Sequence, residues 1–99
     1  ADQVPVIVGT WDFAGANLVP GGTRDNLNYL EHALVWHEKI SQTQQLILCD
    51  AQTSGGLMFA IAPEYEQEII REMKKAGVDQ ATTIGRFIHT NDGNITITK

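Results

Sequence analysis

The run Asp50-Ala51-Gln52-Thr53-Ser54-Gly55-Gly56-Leu57-Met58-Phe59-Ala60-Ile61 constrains this chain more than any other stretch. Short hydrogen-bonding side chains and two adjacent glycines lead straight into an unbroken apolar segment. Such a sequence suits a place where backbone comes close to something polar at the edge of a packed core. Gln52, Thr53 and Ser54 supply one amide and two hydroxyls, and Gly55 and Gly56 leave backbone N–H groups unobstructed. A phosphate oxygen asks for that inventory: many neutral donors and no Cβ in the way. The same residues also suit an Asx or Ser/Thr turn closing a tight strand entry. Asp50 is open to three roles: holding a divalent cation, orienting a water, or accepting hydrogen bonds from the loop's own backbone. No Lys follows the glycines, so the loop departs from the phosphate-loop consensus.

A second glycine tract, Val19-Pro20-Gly21-Gly22-Thr23-Arg24-Asp25-Asn26, precedes a helical pattern. Leu27, Leu30 and Leu34 share one face, and Thr23 is a good N-cap, which predicts a helix over residues 24–33. Free N–H groups and the helix dipole make that terminus a second place where an anion could sit. The alternative is simpler: Thr23 caps the helix and Gly21 and Gly22 make the turn.

The remaining elements follow from pattern. Residues 4–8 are a β-branched run and predict a short edge strand, because Pro5 cannot donate to a ladder. Residues 11–17 fit a short helix or an irregular turn. Residues 35–41 predict a connection carrying a buried Trp36. Ser41 or Thr43 starts a short helix towards Cys49, with a strand as the competing possibility. The apolar run 57–62 is short for a core helix and predicts a buried strand. Pro63 suits the first turn of a further helix, and Glu64, Glu66 and Glu68 favour its N-terminal end. Tyr65, Ile69, Met73 and Ala76 make its apolar stripe, and Gly77 stops it. Residues 81–89 predict a strand that turns at Asn91-Asp92-Gly93-Asn94 and returns through 95–98. The expected fold is α+β, with helices packed on a mixed or mostly antiparallel sheet.

The chain's 99 residues make one small domain at most, and 42% hydrophobic content separates it from disordered sequences. A formal charge of −5 with seven Lys and Arg argues against a nucleic-acid or anionic-membrane surface. No apolar run spans a bilayer and no basic leader opens the sequence, so a cytoplasmic location is expected. The single cysteine, Cys49, allows no internal disulfide and follows an apolar run, which predicts a buried, unreactive thiol. His32, His37 and His89 have no spacing that pairs them as metal ligands. Trp11, Trp36 and Phe59 are expected as core or interface anchors. No Ser-His-Asp or paired-carboxylate constellation is present, so no catalytic residue is assigned.

Asp50-Ala51-Gln52-Thr53-Ser54-Gly55-Gly56-Leu57 resembles the Asp-x-Gln-Thr-Ser-Gly-Gly-Leu signature of selenophosphate synthetases. Pro20-Gly21-Gly22-Thr23 with Asn26 is similar to that family's Pro-Gly-Gly-Thr-x-x-Asn signature. The intervening length, the Ala76-Gly77 helix end and Ile84-Gly85 are also similar, so the resemblance covers nearly the whole chain. It implies ATP-dependent synthesis of selenophosphate from selenide, with AMP and orthophosphate as the other products. It also implies membership of the aminoimidazole ribonucleotide synthetase superfamily, in which two domains meet at a cleft.

By this resemblance the candidate cleft residues are Asp50, Gln52, Thr53, Ser54, Gly55, Gly56, Gly21, Gly22, Thr23 and Asn26, with metal ligands unassigned. The family's reactive cysteine or selenocysteine, its lysine, its glycine-rich N-terminal stretch and most metal-binding aspartates have no counterpart here. Its Asp-Val-Thr-Gly-Phe-Gly motif is also missing, and Cys49 does not match the reactive position. The chain is therefore expected to be the last part of the C-terminal domain, inactive alone, with the N-terminal catalytic domain as partner. ATP and Mg²⁺ are implied for the parent enzyme, which is implied to be a homodimer; neither is expected to bind this portion tightly. An apolar patch is expected where the missing portion would pack. Two alternatives stay open: a non-catalytic binding or interaction module of the same fold, and another ATP-dependent synthetase of the superfamily. Gln52-Thr53-Ser54 argues against the latter.

Overall fold

The computed structural model describes residues 1–89 and 92–99. Helix α1 (Thr10–Gly15) and helix α2 (Gly21–Leu30) lead into strand β1 (Leu34–Trp36) and helix α3 (Gln42–Leu48). A 3₁₀ turn (Pro63–Tyr65) then opens helix α4 (Glu66–Lys75), and strand β2 (Ile95–Ile97) follows.

Local chemistry accounts for the helix ends. At α1, Asn17 takes a positive φ of 63°. The amides of Leu18 and Asn17 bond back to the carbonyls of Phe13 and Ala14, and Asn tolerates that left-handed cap. Helix α3 begins with a capping box: the Gln44 amide donates to Ser41 Oγ, and the Ser41 amide donates to Gln44 Oε1. The short helix expected there forms, and the strand alternative does not. Helix α4 ends as its sequence predicts. Gly77 sits at φ 89°, its amide bonds to the Lys74 carbonyl and the Val78 amide to that of Met73.

The core lies where α1, α2 and α3 meet. Its buried residues are Ala14, Ile40, Leu46 and Cys49, with Thr23 wholly enclosed among them. Leu27 and Leu30 line the inner face of α2, half-buried, as their spacing predicts; Leu34, expected on the same face, lies beyond the helix in β1.

The fold is α+β, but its sheet differs from expectation. Among the described residues it has two strands, and they run parallel: Leu34 opposite Ile95, Val35 opposite Thr96 and Trp36 opposite Ile97. The strand expected at 95–98 forms as β2, but among the described residues it pairs with β1 and no strand forms at 81–89 to make the expected hairpin. The Ile95 amide donates to Ala33 and the His37 amide to the Ile97 carbonyl. Asn91, part of the expected turn, lies outside the described residues. Trp36, expected in a connection, is in β1 and half-buried.

Three predicted strands, at 4–8, 57–62 and 81–89, do not form. A strand needs a neighbour to accept its ladder, and β-propensity measures fit to a pleated, half-buried surface rather than a backbone preference. In the first segment Val4 and Val6 turn towards Ile47 and Leu48, while Val8 is 99% exposed. In the other two, Leu57, Met58, Phe59, Ile84, Phe87 and Ile88 are all exposed. The radius of gyration, 14.9 Å, exceeds the ~13 Å of a compact domain this long. Helix α4 carries much of that openness. No residue of α4 is buried, and Thr83 Oγ1 ties it down by donating to Glu66 Oε1 at 2.6 Å.

Candidate functional site

The two glycine tracts, 27 residues apart at their closest bond, meet in space. Helix α2 starts at Gly21, with Pro20 as N-cap at φ −58°, three residues earlier than its pattern predicts. Glycine is accepted in that first turn because the leading amides have no intrahelical partner in any case. Thr23 is thereby inside the helix and does not cap it. Its hydroxyl donates to Asp50 Oδ1 at 2.5 Å. One turn on, Asn26 Nδ2 donates to the Cys49 backbone carbonyl at 3.1 Å. Gly22 completes the junction: a Cβ there would lie 3.4 Å from that of Ala51.

Asp50 is therefore the root of the loop and is half-buried, while Ala51, Gln52, Thr53, Ser54, Gly55 and Gly56 are all exposed. Of the three roles open to Asp50, the bond it makes is to a side chain of the other tract. The amide and hydroxyls that the sequence offers to an anion are thus on the surface, beside the N-terminal turn of α2. Gln52 folds back over Gly55, where a Cβ would fall 1.8 Å from Gln52 Oε1 and 2.9 Å from Cδ. Gly21 and Gly56 have nothing within 4 Å of where a Cβ would stand. Neither has a positive φ. Nothing described in this chain therefore requires glycine at those two positions.

Beside the junction, Phe13, Leu18, Val19, Leu46 and Ile47 line an apolar cleft of about 200 Å³ with the Asp50 carboxylate on its wall. Cys49 lies under the junction. Burial pushes its thiol pKa up, which disfavours the thiolate a nucleophile needs; this agrees with an inert thiol. Among the described residues no three His, Cys, Asp or Glu side chains are placed to share a metal ion. His37 Nδ1 accepts from the Lys39 amide at 3.2 Å. Trp11 and Phe59 are 48% and 60% exposed, so neither anchors the core of this chain.

Two participants escape sequence reasoning: the Cys49 carbonyl and the Ala51 methyl. The signal for the first was present in the spacing of Thr23 and Asn26, which puts both donors on one helical face.

The AIR synthase related protein C-terminal domain model matches residues 22–98. The selenide, water dikinase of Carboxydothermus hydrogenoformans is 39% identical over 95 residues, 96% of this chain and 27% of its own length. That of Aliarcobacter butzleri is 37% identical over 87 residues, 88% of this chain and 25% of its own. In Shewanella baltica the enzyme of the same name is 43% identical over 70 residues, 70% of this chain and 19% of its own. The chain thus spans about a quarter of the length of the curated relatives it matches. No solved structure matches it. No helix among the described residues is long and apolar enough to cross a membrane.

Proposed function

The chain belongs to the family of AIR synthase related protein C-terminal domains, and we propose that it forms the C-terminal portion of a selenide, water dikinase. The parent enzyme makes selenophosphate from selenide, ATP and water, and releases AMP and orthophosphate. Within it, the 50–56 loop lines a cleft that faces the nucleotide phosphates or the selenium substrate. One observation carries this reading. Two glycine tracts converge through the Thr23–Asp50 bond, and the donors Gln52, Thr53 and Ser54 and the glycines Gly21 and Gly56 are exposed.

Gln52, Thr53 and Ser54 donate to anionic oxygens, and the backbone at Gly21 and Gly56 allows close approach. Neutral donors and a helix terminus orient a phosphate without neutralising its charge. A chain of net charge −5 leaves that neutralisation to the rest of the enzyme. Magnesium, when bound, supplies it in phosphoryl transfer. Among the described residues no three candidate ligands cluster, so this chain builds no all-protein magnesium cage; Asp50, whose Oδ1 accepts from Thr23, is the carboxylate at the junction that could share an ion with substrate phosphates. Most of its ligands in this proposal belong to the N-terminal catalytic domain, which completes the cleft. The parent is a cytoplasmic homodimer in the same proposal, and the chain alone does not turn over.

The test is turnover in the longer enzyme. Changing Thr53 to Phe or Gly55 to Val alters exposed positions, so both variants should keep native circular dichroism. Each should lose at least about tenfold in kcat/KM, as expected when a misplaced phosphate forfeits one hydrogen bond's worth of positioning. Wild-type turnover in both removes the loop from the site.

A further inference from the structure

We infer that Thr23 and Asn26 are positioning residues: they clip the root of the 50–56 loop to helix α2, and Thr23, wholly enclosed, does not itself meet the ligand. The inference rests on the reading that this loop faces the anionic substrate. It assigns a different task to two residues that the sequence groups with the cleft.

Three pairs form the clip, and they run in order. Gly22 lies against Ala51, Thr23 bonds Asp50, and Asn26 bonds the Cys49 carbonyl. Descending the helix thus matches ascending the chain out of α3. Thr23 has no exposed surface, so its hydroxyl is out of reach of a substrate, and its proton goes to the Asp50 carboxylate. A hydroxyl donating to a carboxylate is among the stronger hydrogen bonds in proteins. The Cys49 carbonyl stands at the C-terminal end of α3, where no intrahelical donor remains for it. Asn26 supplies one from the neighbouring helix. Among the described residues no buried side-chain nitrogen or oxygen lacks a partner, so the clip is satisfied without a ligand.

The Thr-x-x-Asn spacing then has a mechanical explanation. Residues three apart on a helix present side chains on one face, and the two donors reach consecutive residues, 50 and 49. The loop beyond has no comparable tie: from Ala51 to Ala60 every residue is exposed. Its direction is set at its root. At Gly22 the helix backbone lies close enough to Ala51 that an added Cβ would already touch it, at 3.4 Å.

The experiment measures kcat and KM of the longer enzyme with Thr23→Val, Thr23→Ser and Asn26→Leu, with Gly55→Val and Thr53→Phe as the loop controls. Circular dichroism confirms that each variant is folded at the assay temperature. Thr23→Val keeps the shape and removes the donor, and should lower kcat/KM about tenfold. Thr23→Ser restores the hydroxyl and should recover most of that loss, which a packing role for the methyl would not allow. Asn26→Leu should cost less, about threefold, because a neutral bond is removed. A Thr23→Val enzyme at wild-type kcat/KM beside an impaired Gly55→Val or Thr53→Phe enzyme overturns the clip and spares the loop. So does a folded Thr23→Ser variant no better than Thr23→Val. If Gly55→Val and Thr53→Phe are both unimpaired, the loop reading fails and this inference fails with it.

Discussion

Residues 10–50 and residues 51–89 make similar use of apolar side chains and come to different ends. In the first region Ala14, Ile40, Leu46 and Cys49 are buried around Thr23, and polar groups find defined partners. In the second, no residue is buried, although Leu57, Met58, Phe59, Ile84, Phe87 and Ile88 are as apolar as any core. The contrast separates what a short segment encodes about itself from what it encodes about a neighbour. In the proposal above these side chains pack against the rest of the enzyme, and the relatives are about four times longer than this chain.

Truncation in each region breaks or sharpens that contrast. Leu46, 3% exposed, should cost about 2–5 kcal/mol when changed to Ala, as buried leucines do. That is a large share of the roughly 5–15 kcal/mol available to a chain of this size. Urea midpoints of the isolated chain would read it. Phe87→Ala, at 89% exposure, should shift the same midpoint by no more than about 0.5 kcal/mol. Equal losses at the two positions would mean that the second region is packed in solution, and the contrast would be void.

A smaller effect probes the packed side alone. Burial raises the Cys49 thiol pKa, so the folded chain holds that proton at a pH where the unfolded chain releases it. Stability from this source is complete below the ordinary thiol pKa of about 8.5 and is lost as pH rises through the higher native value. Cys49→Ala should therefore show a flatter decline of urea midpoint between neutral and alkaline pH than the parent. Parallel declines would contradict a buried thiol.

Elements whose causes are local were legible in the sequence. The α4 stop at Gly77, a helix start at Ser41 or Thr43 and the Leu27–Leu30 face of α2 each depend on residues within a turn or two. The strand at 95–98 was legible from its alternation and forms as Ile95–Ile97; its partner was not, because pairing is a property of two segments. The runs at 57–62 and 81–89 carry the composition of buried strands and form none, whereas Val35 and Trp36, expected in a connection, and Leu34, expected on the face of the preceding helix, make a strand beside Ile95–Ile97. The candidate site divides in the same way. Both glycine tracts could be picked out by their donors. Their junction could not, because a hydroxyl placed at a helix start suits a cap as well as a distant carboxylate. Thr23 takes the carboxylate because α2 begins at Gly21 and carries it inside.

The central claim is that these two tracts form one unit, and a double-mutant cycle on Thr23→Val and Asp50→Ala in this chain tests it most directly. Denaturant unfolding of the parent, both single variants and the double variant gives the coupling energy. A bond between a hydroxyl and a carboxylate at 2.5 Å predicts a coupling of about 1.5–3 kcal/mol. Losses that simply add, to within about 0.5 kcal/mol, would mean that the tracts do not hold one another and would contradict the account.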